Sequence, residues 1–383
     1  NEHSVLVFYG KLPKSDVYIY FIHHPNFFHR DKIYTEDWDE DERFILFSKA
    51  IFHVMQKLGW PPDILHVNDW QTSLMPVLMK ELYSWDRLFS KTKTVLTIHN
   101  IGYQGRFSLD SYQKAELPAE LYQHHGPLSH EGDSNFLKAG ILYSDIINTV
   151  SDTYAKELLT PEYSAGMDNY LWSRHTDFFG IVNGVDYTVW DPETDKYIPH
   201  HYSINDMSGK LKNKKYLLEK LSLPFDSERP LIGIVSRLVA QKGFDIIGEV
   251  LGDLLDLNAQ YVILGSGASE YESMFQNAAN HYPDKLGVYF GYNEELAHQI
   301  EAGSDIFLMP SHYEPCGLNK IYSLKYGTVP VVRKTGGLAD TVQDWNEYNQ
   351  YGLDTGNGFS FFEYSGVALL NSVKRALNDY HNK

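Results

Sequence analysis

Two cations precede a helix-length segment in the second half of the chain. Arg237 and Lys242 follow an apolar run and stand just before the segment that starts at Phe244. Backbone N–H groups at a helix N-terminus favour anions, while arginine offers a planar fork and lysine a point charge. The pattern predicts a site for a diphosphate. A pair of solvated surface cations is the alternative interpretation.

The sequence YEPCGL at residues 313 to 318 places a carboxylate beside backbone donors that enter a predicted helix. Glu314 can accept hydrogen bonds from sugar hydroxyls, and the N–H groups of Cys316, Gly317 and Leu318 can hold a leaving phosphate. The alternative is that Glu314 caps the helix and that Cys316 is a small buried hydrophobic residue.

Two further loops of the second half are rich in small residues. Thr335 and Gly336 open another helix-length segment and could approach a ligand closely. Gly265 and Gly267 follow a predicted strand, but a glycine pair alone is explained by a tight turn. We therefore assign no ligand to that pair.

Polar loops also follow the predicted strands of the first half. Asp69 lies in NDWQ at residues 68 to 71, His99 and Asn100 open HNIGYQG, and Asn183 opens NGVD. These side chains stand where a ligand could be reached, although turns and helix caps use the same residue types.

The elements that must position these loops follow from the apolar pattern. Short β-branched runs alternate with helical patterns, which predicts parallel α/β sheets whose ligands collect outside the carboxyl ends of the strands. The predicted strands are residues 17 to 22, 64 to 67, 94 to 98, 145 to 150, 231 to 235, 260 to 264, 287 to 290, 305 to 309 and 329 to 332, and a helix is predicted over residues 244 to 255.

A chain of 383 residues is too long for one ordinary core, so we expect two doubly wound Rossmann-like domains that face one another across a cleft. The strand pattern restarts after a Lys-rich, helix-prone piece at residues 208 to 221 that is closed by Pro224 and Pro230. The expected domains are residues 1 to 222 on the acceptor side and residues 223 to 383 on the donor side.

Composition excludes several classes of function. The chain has 50 acidic and 33 basic side chains, a formal charge of −17, so nucleic acids and anionic membranes are not expected partners. Cys316 is the single cysteine, which excludes an internal disulfide and a Cys-rich metal site. No apolar stretch approaches the ~18 residues that span a bilayer, and the first residues lack the order of a signal peptide.

We assign no metal to the chain. The acidic run at residues 36 to 42 is interpreted as a solvated helix start, where the helix dipole favours acids. The histidine pairs at residues 23 and 24, 124 and 125, and 200 and 201 lack the spacing of metal ligands.

The loops together resemble the bacterial and plant glycogen (starch) synthase family. The matching stretches come in the family's order and cover nearly the whole chain: HVNDW at 66 to 70, TIHNIGYQG at 97 to 105, NGVD at 183 to 186, SRL at 236 to 238 with QKG at 241 to 243, and YEPCGL at 313 to 318 through residues 333 to 341. The resemblance implies a GT-B fold and transfer of glucose, with retention of configuration, from ADP-glucose or UDP-glucose to the non-reducing end of an α-1,4-glucan. It implies no cofactor.

The resemblance also implies roles for individual residues. Arg237 and Lys242 would neutralise the donor diphosphate with the amides of Gly317 and Leu318, and Thr335 and Gly336 would complete the donor site. Glu314 and Cys316 would contact the transferred glucose, His99 and Asn100 would bind the sugar near its reacting carbon, Asp69 and Asn183 would orient it, and Tyr292 would stack on the base. A glycosyl transfer has an oxocarbenium-like transition state, for which such charge stabilisation is suited.

The chain departs from the family at both ends. The family opens with a strand and a Lys-x-Gly-Gly-Leu loop and closes with a helical tail, and we expect both to be absent here and activity to be low without them. KTGGL at residues 334 to 338 follows the Glu314 loop and therefore belongs to the second domain. Broader retaining relatives carry a second glutamate eight positions after the first, where this chain has Tyr322.

Other interpretations remain open. A non-catalytic glucan- or nucleotide-binding relative would explain the missing first loop, and a third possibility is a glycosyltransferase with another sugar acceptor. His99, Arg237, Lys242 and Glu314 together favour catalysis. The expected compartment is the cytoplasm for a bacterial protein and the plastid stroma for a plant protein.

Overall fold

The structure is a computed structural model that describes residues 3 to 33, 35, 37 to 123, 126 to 345 and 355 to 382. It contains two compact units. The first comprises Asn1–Val150 and Ala155–Gly180, and the second comprises Ser151–Tyr154 and Ile181–Lys383. Glu36, His124 and His125, which entered the metal argument, lie outside the described residues.

The boundary between the units differs from the expected one at residue 222. Residues 181 to 222 group with the second unit because the helix at their end packs on its sheet. Leu217 and Leu218 are fully buried there among Leu231, Val262 and Phe307.

The first part of the chain, through the end of the first unit, contains nine strands and eight α-helices among its described residues. The strands are β1 (Leu6–Lys11), β2 (Tyr18–His23), β3 (Ile64–Asn68), β4 (Lys93–Ile98), β5 (Arg106–Phe107), β6 (Ser129–His130), β7 (Asp133–Asn135), β8 (Ile146–Thr149) and β9 (Phe178–Gly180). The helices are α1 (Pro25–Phe28), α2 (Glu40–Leu58), α3 (Asp69–Thr72), α4 (Met75–Glu81), α5 (Asp110–Lys114), α6 (Phe136–Tyr143), α7 (Asp152–Glu157) and α8 (Asp168–Trp172), with 3-10 turns at Arg87–Phe89, Ala119–Leu121 and His175–Asp177.

The sheet of the first unit is parallel, in the order β3-β4-β8-β9. Three of the four predicted strands of this half belong to it. The fourth, at residues 17 to 22, does not, because β2 pairs antiparallel with β1 in a separate two-stranded sheet. A single β-branched run cannot show which way its partner runs, so the pattern identified the strand but not its pairing.

Helix α2 begins in the acidic run, with Glu40, Asp41 and Glu42 in its first turn, and ends at Gly59, whose φ of 59° is left-handed. The interpretation of this start as solvated is wrong for two of its acids. Glu40 and Asp41 are each 3% exposed. Arg30 and Arg43 pair with Glu40 at 3.3 and 3.2 Å, and Lys114 lies 3.0 Å from Asp41. These two acids can be buried because cations from outside the run pair with them.

The second unit contains six strands and eight α-helices among its described residues beyond Gly180. The strands are β10 (Leu231–Val235), β11 (Gln260–Gly265), β12 (Leu286–Phe290), β13 (Ile306–Met309), β14 (Val329–Arg333) and β15 (Phe359–Phe361). The helices are α9 (Ser208–Lys220), α10 (Phe244–Glu249), α11 (Leu251–Asp256), α12 (Ser269–His281), α13 (Glu294–Gly303), α14 (Leu318–Lys325), α15 (Gly336–Thr341) and α16 (Gly366–His381), with a 3-10 turn at Ala240–Lys242.

The second sheet is parallel throughout, in the order β12-β11-β10-β13-β14-β15. Strands β10 and β11 are buried over almost their whole length, as expected for a sheet covered by helices on both sides. The order is that of a Rossmann sheet, and it reverses between β10 and β13. The loops that follow these two strands should therefore hold the ligand.

Candidate active site

The loops after β10 and β13 meet at an ion pair. Lys242 Nζ lies 2.6 Å from Glu314 Oε2, and the Ser311 hydroxyl donates to the same oxygen at 2.9 Å. The Glu314 residue is only 5% exposed. Because the carboxylate is buried and paired, the interpretation of Lys242 as a solvated surface cation is wrong.

The structure also decides against Glu314 as a helix cap. The N-cap of α14 is Gly317, with a φ of 72° and no side-chain cap hydrogen bond. A glycine accepts this left-handed conformation without strain, which lets the chain turn sharply from the Glu314 loop into the helix. The Cys316 side chain is a buried free thiol, as in the alternative interpretation of that residue.

The loop that follows β14 packs against the Glu314 loop. The Gly337 amide donates to the carbonyl oxygens of Glu314 and Pro315 at 3.0 and 3.2 Å. A Cβ atom on Gly337 would lie 2.4 Å from the Cys316 carbonyl oxygen, so only glycine permits this approach. Thr335 is the N-cap of α15, and Gly336 is its first residue. KTGGL thus belongs to the second unit, as its place in the sequence predicted.

Arg237 and Tyr292 line one pocket of about 220 Å³ at the carboxyl ends of β10, β11 and β12. The Arg237 side chain is exposed, and Tyr292 is 88% exposed at the rim. Gly265 and Ser266 supply the wall after β11, and Asn319 supplies the wall from α14. A cation and an unburied aromatic ring on one pocket suit a ligand that joins a phosphate to a base.

Our sequence interpretation missed the loop after β11 as part of this pocket. Gly267 forms a parallel bridge with Leu238, and a Cβ on Gly267 would lie 2.2 Å from the Leu238 carbonyl oxygen. The glycines therefore serve a close backbone approach and not only a tight turn, and Gly265 and Ser266 line the pocket. The sequence feature that could have indicated this loop was Gly-x-Gly directly after a buried strand.

The polar loops of the first unit form a local cluster. Asp69 opens α3 with a φ of 52°, and its Oδ1 accepts from the His99 and Asn100 amides at 2.7 and 3.4 Å. His99 Nε2 lies 2.9 Å from Asn68 Oδ1. Burial raises the pKa of Asp69, and the hydrogen bond from the His99 amide opposes this shift. The carboxylate thus fixes the backbone on which both predicted sugar-binding residues stand.

Asn183 was expected in the first domain, but it lies in the second compact unit, half-buried in an irregular segment. The same segment contains Trp190, which stacks on His298 and on Tyr322 with ring centroids 3.6 and 3.9 Å apart. Tyr322, eight positions after Glu314, therefore has a packing role in this chain.

Among the residues that the structure describes, no group of three or more His, Cys, Asp or Glu side chains is arranged to hold a metal ion. Within the same residues, every helix is too short or too polar to cross a membrane.

Comparisons with known proteins identify the family of the chain. Residues 3–173 match the family described as "Starch synthase catalytic domain", and residues 218–383 match "Glycosyl transferases group 1". The chain is 48% identical over 372 residues to a glycogen synthase of Thermosipho melanesiensis, which covers 97% of this chain and 76% of the relative. It is 45% identical over 377 residues to a glycogen synthase of Thermotoga maritima, covering 98% and 76%.

Solved structures are similar as well. The catalytic domain of starch synthase IV from Arabidopsis thaliana, bound to ADP and acarbose, has a TM-score of 0.90 at 33% identity over 99% of this chain and 78% of that chain. Sucrose-phosphate synthase from Thermosynechococcus elongatus has a TM-score of 0.55 at 19% identity over 91% and 72%, a likeness of fold alone.

Proposed function

The chain belongs to the glycogen and starch synthase family of GT-B glycosyltransferases, and we propose that it transfers glucose from a nucleotide-glucose to the non-reducing end of an α-1,4-glucan with retention of configuration. The observation that supports this activity most directly is the buried Glu314 carboxylate, which lies 2.6 Å from Lys242 where the strand order reverses. A site that only bound a glucan would not need this pair.

The second unit contains residues suited to the nucleotide of the donor and residues suited to its glucose. The pocket of Arg237 and Tyr292 suits the nucleotide, since the ring can stack on a base and the guanidinium can bind phosphate. The starch synthase IV structure holds ADP, which supports ADP-glucose as the donor, although stacking on a tyrosine does not distinguish adenine from uracil.

Bond cleavage leaves positive charge on the sugar and negative charge on the departing diphosphate. Lys242 and Arg237, with the N–H groups of Gly317 and Leu318 at the start of α14, would stabilise the diphosphate. Glu314 would then exchange part of its contact with Lys242 for hydroxyl groups of the transferred glucose.

In the first unit, Asp69, His99 and Asn100 would act on the transferred sugar, and in the second unit Asn183 would orient it. His99 and Asn100 would bind the sugar near its reacting carbon, and Asp69 would orient them through their amides. Cys316 would contact the transferred glucose, and Thr335 and Gly336 would complete the donor site. The glycogen synthases compared above are bacterial, and we propose the bacterial cytoplasm as the compartment.

The decisive experiment supplies the protein with glycogen and either ADP-glucose or UDP-glucose, and measures release of the nucleotide diphosphate and elongation of the glucan. We expect elongation with at least one donor, and an absence of elongation with both would refute the proposal.

Glu314→Ala should lower transfer by about 100-fold or more, because it removes a charge contact at the reacting centre. The control is Glu219→Ala on α9, whose carboxylate is 61% exposed and lies 3.8 Å from Lys215. Equal losses of transfer and of folding stability in Glu314→Ala would indicate a structural role instead.

A further inference from the structure

A buried lysine lies directly beneath the Glu314 loop. Lys320 is in the first turn of α14 and is 0% exposed. A cation at this end of a helix opposes the helix dipole, and its burial adds a desolvation penalty. The fold therefore keeps an unfavourable charge at a position where an apolar side chain would be cheaper to bury.

The ammonium of Lys320 has a specific partner in the loop. Its Nζ donates to the carbonyl oxygen of Cys316. That oxygen belongs to the peptide group whose nitrogen is the Gly317 N–H, one of the two amides proposed to bind the departing diphosphate. A peptide group whose oxygen accepts a charged hydrogen bond is polarised, and its N–H becomes a stronger donor.

The Cys316–Gly317 peptide is also confined by Gly337. Gly337 packs on the Cys316 backbone so closely that a Cβ there would lie 2.7 Å from Cys316 Cα. The titratable groups that face the Lys320 ammonium are Glu314, Cys316 and Asp340, and the carboxylates of Glu314 and Asp340 favour its charged form. The peptide is thus held by a glycine on one face and by a buried cation on its oxygen.

We infer that Lys320 is a positioning residue for donor cleavage, which orients and polarises the Cys316–Gly317 peptide so that the Gly317 N–H binds the leaving diphosphate more strongly. This inference rests on the proposed function of the Gly317 amide. Lys320 itself touches neither sugar nor phosphate. It acts through one peptide bond, so its effect should fall on the donor and not on the glucan.

The charge state of Lys320 gives the inference a distinct signature. Burial lowers the pKa of Lys320 to about 8. The Lys320 side chain is therefore positively charged below that pH and loses its charge as the pH rises through it. Wild-type kcat/KM for the donor should fall between pH 7 and pH 9, while KM for glycogen should not follow this change.

The test compares wild-type protein with Lys320→Gln, which keeps an N–H donor without the charge, and with Lys320→Met, which keeps neither. We expect donor kcat/KM at pH 7 to fall about tenfold in Lys320→Gln and further in Lys320→Met, less than the loss of a direct oxyanion donor. The fall in donor kcat/KM above pH 8 should disappear in both variants. Their ADP affinity, measured by calorimetry, should be weaker than that of the wild-type protein.

Lys210 offers a matched control in the same unit. Its Nζ donates to the Tyr326 carbonyl and the Thr328 hydroxyl at 3.0 and 2.7 Å, and burial lowers its pKa to about 8 as well. Lys210→Gln should reduce folding stability but leave donor kcat/KM and its alkaline fall unchanged.

A Lys320→Gln variant with wild-type donor kcat/KM, or with the same alkaline fall, would overturn the inference. If neither variant folds, the wild-type profile decides, and a constant donor kcat/KM from pH 7 to pH 9 would overturn it. Failure of the proposed function is distinguishable, because wild-type protein would then elongate no glucan while its ADP affinity could still depend on Lys320.

Discussion

The ammonium of Lys242 lies 2.6 Å from the carboxylate of Glu314, although 72 residues separate them in the chain. Their side chains are 18% and 7% exposed. The two loops that carry them follow β10 and β13, which are hydrogen-bonded neighbours in the sheet. The pair therefore joins the predicted phosphate-binding loop to the predicted sugar-binding loop within one compact unit.

Removing the cation should leave Glu314 buried with a single hydroxyl partner. We predict that Lys242→Met lowers the free energy of unfolding by about 2–4 kcal/mol, because an uncompensated buried charge is unfavourable, and that it also abolishes most transfer. Denaturant unfolding and the glycogen assay measure the two effects. Lys220→Met is the control, since Lys220 pairs with Glu295 at 3.0 Å at the surface, and such pairs are worth less than about 1 kcal/mol. Similar losses in both variants would contradict the prediction.

The contact of Gly337 with the Cys316 backbone predicts a second effect. In Gly337→Ala the new methyl group would meet backbone atoms at 2.4 and 2.7 Å, so the Glu314 loop must move. We expect a loss of about 1–3 kcal/mol in stability and a weaker ADP affinity by calorimetry.

Gly252 on α11 is the matched control for this substitution. A Cβ atom there would have nothing within 4 Å, so Gly252→Ala should stabilise the protein by about 0.4–1 kcal/mol and leave ADP affinity unchanged. Unaltered ADP affinity in Gly337→Ala would show that the contact does not position the loop.

Asp69 in the first unit combines a left-handed backbone with two accepted hydrogen bonds. Asparagine tolerates a positive φ and keeps an acceptor, whereas alanine does neither. We therefore predict that Asp69→Ala loses about 2 kcal/mol of stability and most transfer, while Asp69→Asn loses less than about 1 kcal/mol. Thermal unfolding and glucan elongation would be measured on both. Equal stability of the two variants would mean that the contact to the His99 loop contributes little.

A buried carboxyl group predicts the dependence of stability on pH. Burial raises the pKa of Glu301 to about 8, and its Oε2 accepts from the Ser323 hydroxyl on α14 at 2.7 Å. The folded protein then holds a proton between about pH 4.5 and pH 8 that the unfolded chain releases, so stability should fall as the pH rises across this window.

Glu301→Gln removes the titrating proton and keeps the acceptor for Ser323. Its free energy of unfolding, measured in denaturant from pH 5 to pH 8, should fall less steeply than that of the wild-type protein. Parallel slopes would assign the pH dependence to other groups. The pH range ends at 8 because Lys210, which interacts with Glu301, has a pKa of about 8.

Much of the second unit could be predicted from local patterns. The strand at residues 231 to 235 matches β10 at both ends, because five apolar residues bounded by a proline and a polar loop permit little else. The helix predicted over residues 244 to 255 is instead two helices, α10 and α11, divided at Val250 with its φ of −124°. The strand β15 was missed because three residues are too few for a pattern.

The sequence by itself determined the family, the α/β class, the GT-B fold and the loops that hold the candidate site, because motif order and apolar period are local properties that survive without coordinates. Only the tertiary structure decided that Lys242 meets Glu314 and that Arg237 and Tyr292 share a pocket. The strand order of the second sheet sets both contacts, and that order depends on which long-range pairings bury the most apolar surface, which no local pattern records.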